Sequence, residues 1–346
     1  MRCLFYFAIL FEMILVLRLL LIKLLIGRGR KLSHKDRLFL KIFAGAAIGS
    51  FVFSEYLFKM AFGRVNEVPE TSKEKQKYAD SYWDFVDWFK KINKEHWTFT
   101  LTGESEQMSA YFIPAADPQT KKVVVISHGY KGNGETMANF AKMFYDLGFN
   151  ILLPDDRAHG ESAGKYISFG WLDRLDYLHW LTKIIQRVGE EAQIVLFGVS
   201  MGASTVEMLS GEKLPPQVKC LIADCGYSSI NQEMTYLLKH QYHLPKYPFY
   251  PLVSTINHHR LGYYLGDVSA TEQLQKNKLP IFFIHGEKDS YVPSEMALKN
   301  FQATTAPKEL WIVKNATHAE SYWIDPKTYQ QRVTAFLNKY FYHKAK

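Results

Sequence analysis

The sequence predicts an α/β fold: a mostly parallel central sheet covered by helices on both faces, with an inserted helical cap and an N-terminal anchor segment. Three observations carry this. From Lys121 onward, short apolar runs rich in β-branched residues alternate with amphipathic helical patterns. Continuous apolar strands separated by helices belong to parallel sheets buried on both sides. A serine stands between two glycines, Gly198-Val199-Ser200-Met201-Gly202, where such a strand ends and a helix starts. The net charge, finally, is confined to the first 66 residues, where eleven Lys/Arg face three acids and account for the whole +8 of the chain. The rest is balanced and carries no basic footprint for nucleic acid.

The N-terminal part reads as a membrane anchor over 1–66. Leu38 to Phe62 is apolar apart from Lys41, Glu55 and Lys59, and charges near the ends of a span can snorkel. Cys3 to Ile26 is a second apolar run, interrupted by Glu12, Arg18 and Lys23. One or both runs are expected to span. The basic cluster Arg28 to Arg37 between them favours the cytoplasm, which puts the C-terminal body on the extracytoplasmic face. Ala44-Gly45-Ala46 fits a signal-cleavage site in its small residues but comes too early in the apolar run.

Residues 67–95 read as a helical linker, with Tyr78, Tyr82, Phe85, Val86 and Phe89 at helical spacing. The body, 96–346, opens with a hairpin of alternating strands at 96–102 and 107–113. Strands follow at 123–127, 149–153, 193–198, 218–223, 280–285 and 309–313. Helices are expected at about 134–147, 171–188, 201–210, 294–302 and 326–342. The connection after Asp224 is too long for a simple crossover. Its aromatic-rich stretch at about 225–270 reads as a cap over the sheet edge where ligands bind.

Ser200 is the candidate nucleophile. A sharp strand-to-helix turn exposes its hydroxyl, and the helix that begins there points its N-terminus at any oxyanion formed beside it. Nucleophile, acid and base in this chain order are supplied by Ser200, Asp289 and His318, each directly after a strand. Asp224, also between serine and histidine, is the rival acid. The backbone N–H groups of Tyr130, in the loop after strand 123–127, and of Met201 are the candidate oxyanion donors. His240, His243, His258 and His259 complete no clean metal-ligand set, so neither metal nor cofactor is expected. The run Asp155 to Ser162 reads as charged groups tying loops together beside the site. Cys220 and Cys225 bracket one strand, too far apart to form a disulfide.

On these motifs residues 96–342 resemble the serine α/β-hydrolases: His128-Gly129-Tyr130, Asp156 to Ser162, Gly198 to Gly202, and the Asp289 and His318 loops occur in family order. The likeness is to membrane-anchored bacterial members related to the cinnamoyl-esterase and prolyl-oligopeptidase branches. It implies the α/β-hydrolase fold and an acyl-enzyme mechanism without cofactor or metal. Ala158 stands where many relatives carry glycine. The segment between anchor and first strand is too short for a propeller domain, which weighs against an oligopeptidase. The expected activity is hydrolysis of a small to medium apolar or aryl carboxylic ester. A peptidase, amidase or acyltransferase would use the same three residues, and a non-catalytic binding protein would have little reason to keep them.

Overall fold

The computed structural model describes residues 33–64, 78–100 and 107–342. The apolar run 3–26, the first part of the expected linker and the hairpin turn lie outside the described residues. The chain divides into two compact units, Met1–Tyr56 and Leu57–Lys346. Helix α1 (His34–Phe62) is long and apolar enough to cross a membrane.

The second unit is built on an eight-stranded sheet. Its strands are β1 (Glu95–Thr100), β2 (Gln107–Ile113), β3 (Lys122–Ser127), β4 (Asn150–Pro154), β5 (Gln193–Val199), β6 (Val218–Asp224), β7 (Ile281–Gly286) and β8 (Lys308–Val313). Their order is β1-β2-β4-β3-β5-β6-β7-β8. The two hairpin strands join antiparallel, and β4 to β8 through β3 are parallel. Side chains alternate between the faces, which splits each apolar run into two cores. Val124, Ile126, Val195 and Phe197 pack on one side with Phe140, Phe144 and Phe336. Val123, Val125, Ile194 and Leu196 pack on the other with Tyr177, Trp180 and Val206.

Helices α2 (Ala79–Lys91), α3 (Ala138–Asp146) and α11 (Pro326–Tyr340) cover the first face. Helices α4 (Asp173–Val188) and α5 (Met201–Leu209) lie against the second. α2 falls in the stretch read as a linker, yet Val86 and Phe89 are buried in the sheet's own core, so this helix belongs to the body. The helical spacing was visible in the sequence; the surface it covers was not.

The connection between β6 and β7 folds as α6 (Ile230–His240), α7 (Phe249–Leu261), a short 3₁₀ turn and α8 (Ala270–Leu274). Helices α9 (Ser294–Ala303) and α10 (Ser321–Ile324) follow β7 and β8. The last turn of α1 belongs to this unit. Phe58 and Phe62 are fully buried, stacked at 4.6 Å, and Phe62 meets Phe169 edge-on at 4.8 Å. Arg64 fastens the chain beyond it through its guanidinium to the carbonyls of Gly160 and Ser162.

Candidate active site

β5 delivers Ser200 to the carboxyl edge of the sheet, where the chain turns into α5. Ser200 holds φ 57° and ψ −119°, a conformation that L-residues adopt only under constraint. The constraint is steric. A Cβ on Gly198 would lie 2.2 Å from the Gly202 carbonyl oxygen, and one on Gly202 would lie 2.2 Å from that of Ser127. Only glycine lets strand, turn and helix approach this closely. The Ser200 N–H donates to the Asp224 carbonyl at 2.8 Å, pinning the turn to β6.

The loops after β7 and β8 bring Asp289 and His318 to the same edge. The Ser200 hydroxyl lies 2.8 Å from His318 Nε2, and His318 Nδ1 lies 2.7 Å from Asp289 Oδ2. Asp289 Oδ1 accepts the N–H groups of Tyr291 and Val292, both at 2.9 Å. His285 Nε2 lies 3.3 Å from Oδ2 while donating to the Val292 carbonyl. Burial alone would raise the Asp289 pKa. The charge on His318 and the hydrogen bonds from His285 and His318 outweigh that and hold it well below the usual carboxylate range. Asp289 is thus an ionised, immobilised acceptor that keeps the His318 proton on Nδ1 and leaves Nε2 free to take one from Ser200. Cys225 comes close to this pair, but the facing Asp289 and His318 atoms are already spent on each other.

Asp224, the rival acid, takes no part in this chain. It is buried, accepting from Ser321 Oγ and Tyr329 OH at 3.0 Å each. Burial pushes its carboxyl up to about 6. Its contribution to the elbow is its backbone carbonyl.

The Met201 and Tyr130 N–H groups find no protein acceptor among the described residues. The loop carrying Tyr130 is held by two buried imidazoles. His128 donates through Nδ1 to the Gly129 carbonyl and accepts the Asp156 N–H at Nε2. His159 accepts the Lys131 N–H at Nε2. Desolvation lowers both pKa values, that of His159 to about 3, so both stay neutral and can accept. The Asp155 to Ser162 run ties loops as expected. Asp155 accepts the Gly134 and Glu161 N–H groups, and Arg157 forks onto Asp176. Ala158 in its centre holds φ 62°, the left-handed region that a glycine would enter freely.

Ser200 opens into a cavity of about 270 Å³. Its walls come from the last turn of α1 (Leu57, Met60, Ala61), from the Tyr130 loop, and from α6 and α7 of the inserted segment. The cap therefore sits over Ser200. Sequence reasoning missed one residue here. Glu233 on α6 lines the cavity, is 4% exposed, and neither carboxylate oxygen has a hydrogen-bond partner among the described residues. Burial, with Asp289 adding to it, raises its carboxyl to about 9, so it is uncharged at neutral pH. A folded-state pKa above the unfolded one makes the wild type lose stability as pH rises from about 4.5 towards 9, at about 1.4 kcal/mol per pH unit. Glu233→Gln is expected to melt with the wild type at pH ~4.5 and clearly above it at pH ~8; calorimetry at the two pH values reads the difference.

The chain is similar to several known proteins. A family model described as serine aminopeptidase, S33, matches residues 118–247. The Bacillus subtilis (strain 168) protein YqkD is 29% identical, covering 68% of this chain and 81% of its own. Lysophosphatidylserine lipase ABHD12 of Danio rerio is 22% identical over 60% of this chain and 53% of its own. The solved structure of the Pyrococcus furiosus esterase Pf2001 superposes with a TM-score of 0.59 at 22% identity, covering 80% of this chain and 97% of the esterase. Sheet order, glycine-flanked turn and these likenesses agree: the chain has the α/β-hydrolase fold.

Proposed function

We propose that this protein is a serine hydrolase that cleaves carboxylic esters of small to medium apolar acyl or aryl groups through an acyl-enzyme, on the extracytoplasmic face of a membrane. The observation that carries this reading is the unbroken hydrogen-bonded chain Ser200–His318–Asp289 opening into an apolar cavity. Ser200 Oγ attacks the ester carbonyl carbon as its proton passes to His318 Nε2. Asp289 stabilises the imidazolium, and the Met201 and Tyr130 N–H groups hold the tetrahedral oxyanion. Collapse breaks the ester C–O bond, with the His318 proton going to the leaving alcohol. Water, deprotonated by His318, then attacks the acyl-enzyme and releases the acid and Ser200.

The cavity walls support an apolar substrate, since Leu57, Met60 and Val253 face it beside aromatic side chains. ABHD12 is named a lipase and Pf2001 an esterase, both of which cleave esters. The membrane reading rests on α1 and on the basic cluster before it, which favours the cytoplasm. The family-model description favours a second reading, an aminopeptidase on the same three residues. Purified protein offered p-nitrophenyl esters of rising chain length beside aminoacyl and peptide anilides separates the two. Turnover of the esters with little of the anilides is expected; anilide turnover without ester turnover would overturn the esterase reading. Protease shaving of intact cells is expected to release the body, and a protected body would contradict the topology.

A further inference from the structure

The last turn of α1 lies in the same compact unit as Ser200, and helical spacing divides its side chains into two stripes. Leu57, Met60 and Ala61, at i, i+3 and i+4, share one stripe and line the Ser200 cavity. Phe58 and Phe62, at i and i+4, form the neighbouring stripe and are sunk in the body's core. The turn is fastened at each point where it meets the body. The Phe62 carbonyl accepts the Ile167 N–H at 2.7 Å, and the Arg64 N–H donates to the Lys165 carbonyl at 3.1 Å. Phe58 meets Tyr166 edge-on at 5.2 Å. The Tyr130 hydroxyl donates to the Ala61 carbonyl at 2.8 Å, and its ring stacks on Phe169, the ring that Phe62 also meets. One aromatic cluster thus joins this turn to the loop carrying the candidate oxyanion donor.

We propose that the last turn of α1 is the chain-length gauge of the site: Met60 and Ala61 set how long an apolar group the enzyme accepts beside Ser200. This rests on the reading of Ser200 as the nucleophile. A gauge must be both reachable and fixed. Met60 is 36% exposed and Ala61 half-buried, so a bound chain can touch both. Neither side chain offers a hydrogen-bonding group to compete with that contact, so hydrocarbon is what they suit. The backbone beneath them is held by Phe58, Phe62 and the bonds to Ile167 and Tyr130. A chain too long for the cavity therefore cannot push this wall aside without breaking those contacts, and a wall that cannot yield discriminates by shape. The segment that leads out of the body as a candidate membrane span thus ends as a specificity-determining part of the active site.

The test measures kcat/KM of the full chain in detergent for two series of esters. One is p-nitrophenyl esters of rising acyl length, and the other is alkyl acetates of rising alcohol length. Fluorophosphonate labelling of Ser200 is followed in every variant. Met60→Trp and Ala61→Leu fill the cavity and are expected to move the optimum of one series to shorter chains by about two carbons. The ratio of long-chain to short-chain kcat/KM should fall about fivefold or more. Met60→Ala, which empties the same space, should move the optimum of that series to longer chains. Ile48→Ala, on the exposed part of α1 away from this turn, should leave both profiles as in the wild type. Unmoved optima in both series for Met60→Trp and Met60→Ala, with Ser200 labelled, would overturn the proposal alone. So would an optimum that Ile48→Ala moves as far as the Met60 variants do, since selectivity would then come from how the whole helix is seated. Absence of labelling in the wild type would bring down the nucleophile reading and this one together.

Discussion

Ser200→Ala is expected to lower kcat/KM for ester hydrolysis by about 10⁴- to 10⁶-fold while leaving the fold intact. The size follows from losing the covalent step. What remains is whatever the Met201 and Tyr130 N–H groups and the cavity provide to attack by water, and such residues act as a unit, so deleting the nucleophile removes nearly all that the three supply. The fold should survive because the turn is held by Gly198, Gly202 and the Ser200 N–H bond to Asp224, none of which involves the hydroxyl. An unchanged melting temperature beside the lost activity separates chemistry from misfolding.

Asp289→Asn is expected to lower kcat by about 10⁴-fold through the tautomer of His318. The direction follows from the contacts of Asp289. Its Oδ1 is committed to the Tyr291 and Val292 N–H groups, so the asparagine oxygen must take that side. The amide NH₂ then faces His318 Nδ1 and forces the imidazole proton onto Nε2, where it can no longer accept from Ser200. Stability falls too, because the wild-type carboxylate, with its depressed pKa, stabilises the fold above the ordinary carboxylate range and loses that contribution as pH falls. Asp224→Asn should leave turnover far less affected, since Asp224 serves the elbow through its backbone. Steady-state kinetics of the two variants, side by side, checks the assignment.

The order of strands and helices was legible because each buried strand is a continuous apolar run and each covering helix is amphipathic. Ser200, Asp289 and His318 stood out because all three follow strands. Chain order alone admits Asp224 as well as Asp289; the short strand-to-helix loop closed by Val292-Pro293 favours Asp289, and the reason Asp224 turns away lies in side-chain direction. Asp224, the last residue of β6, points into the layer where Tyr329 and Ser321 donate to it, and only the packing of α10 and α11 reveals that. Glu233 was invisible for a related reason. On α6 it reads as an ordinary polar residue of a surface helix, and its burial depends on how the cap closes over Ser200. The end of α1 behaves alike: Phe58 and Phe62 belong to the apolar run that only Lys41, Glu55 and Lys59 interrupt, yet they are core residues of the body.

The central claim is that Ser200 is an activated nucleophile in a working hydrolase. The most direct measurement is intact-protein and peptide mass spectrometry after exposure of wild type, Ser200→Ala and Asp289→Asn to a fluorophosphonate. One adduct per wild-type chain, on the peptide containing Ser200, slowed strongly in Asp289→Asn and absent from Ser200→Ala, is the predicted result. An unlabelled wild type, or an adduct that persists in Ser200→Ala, would contradict it.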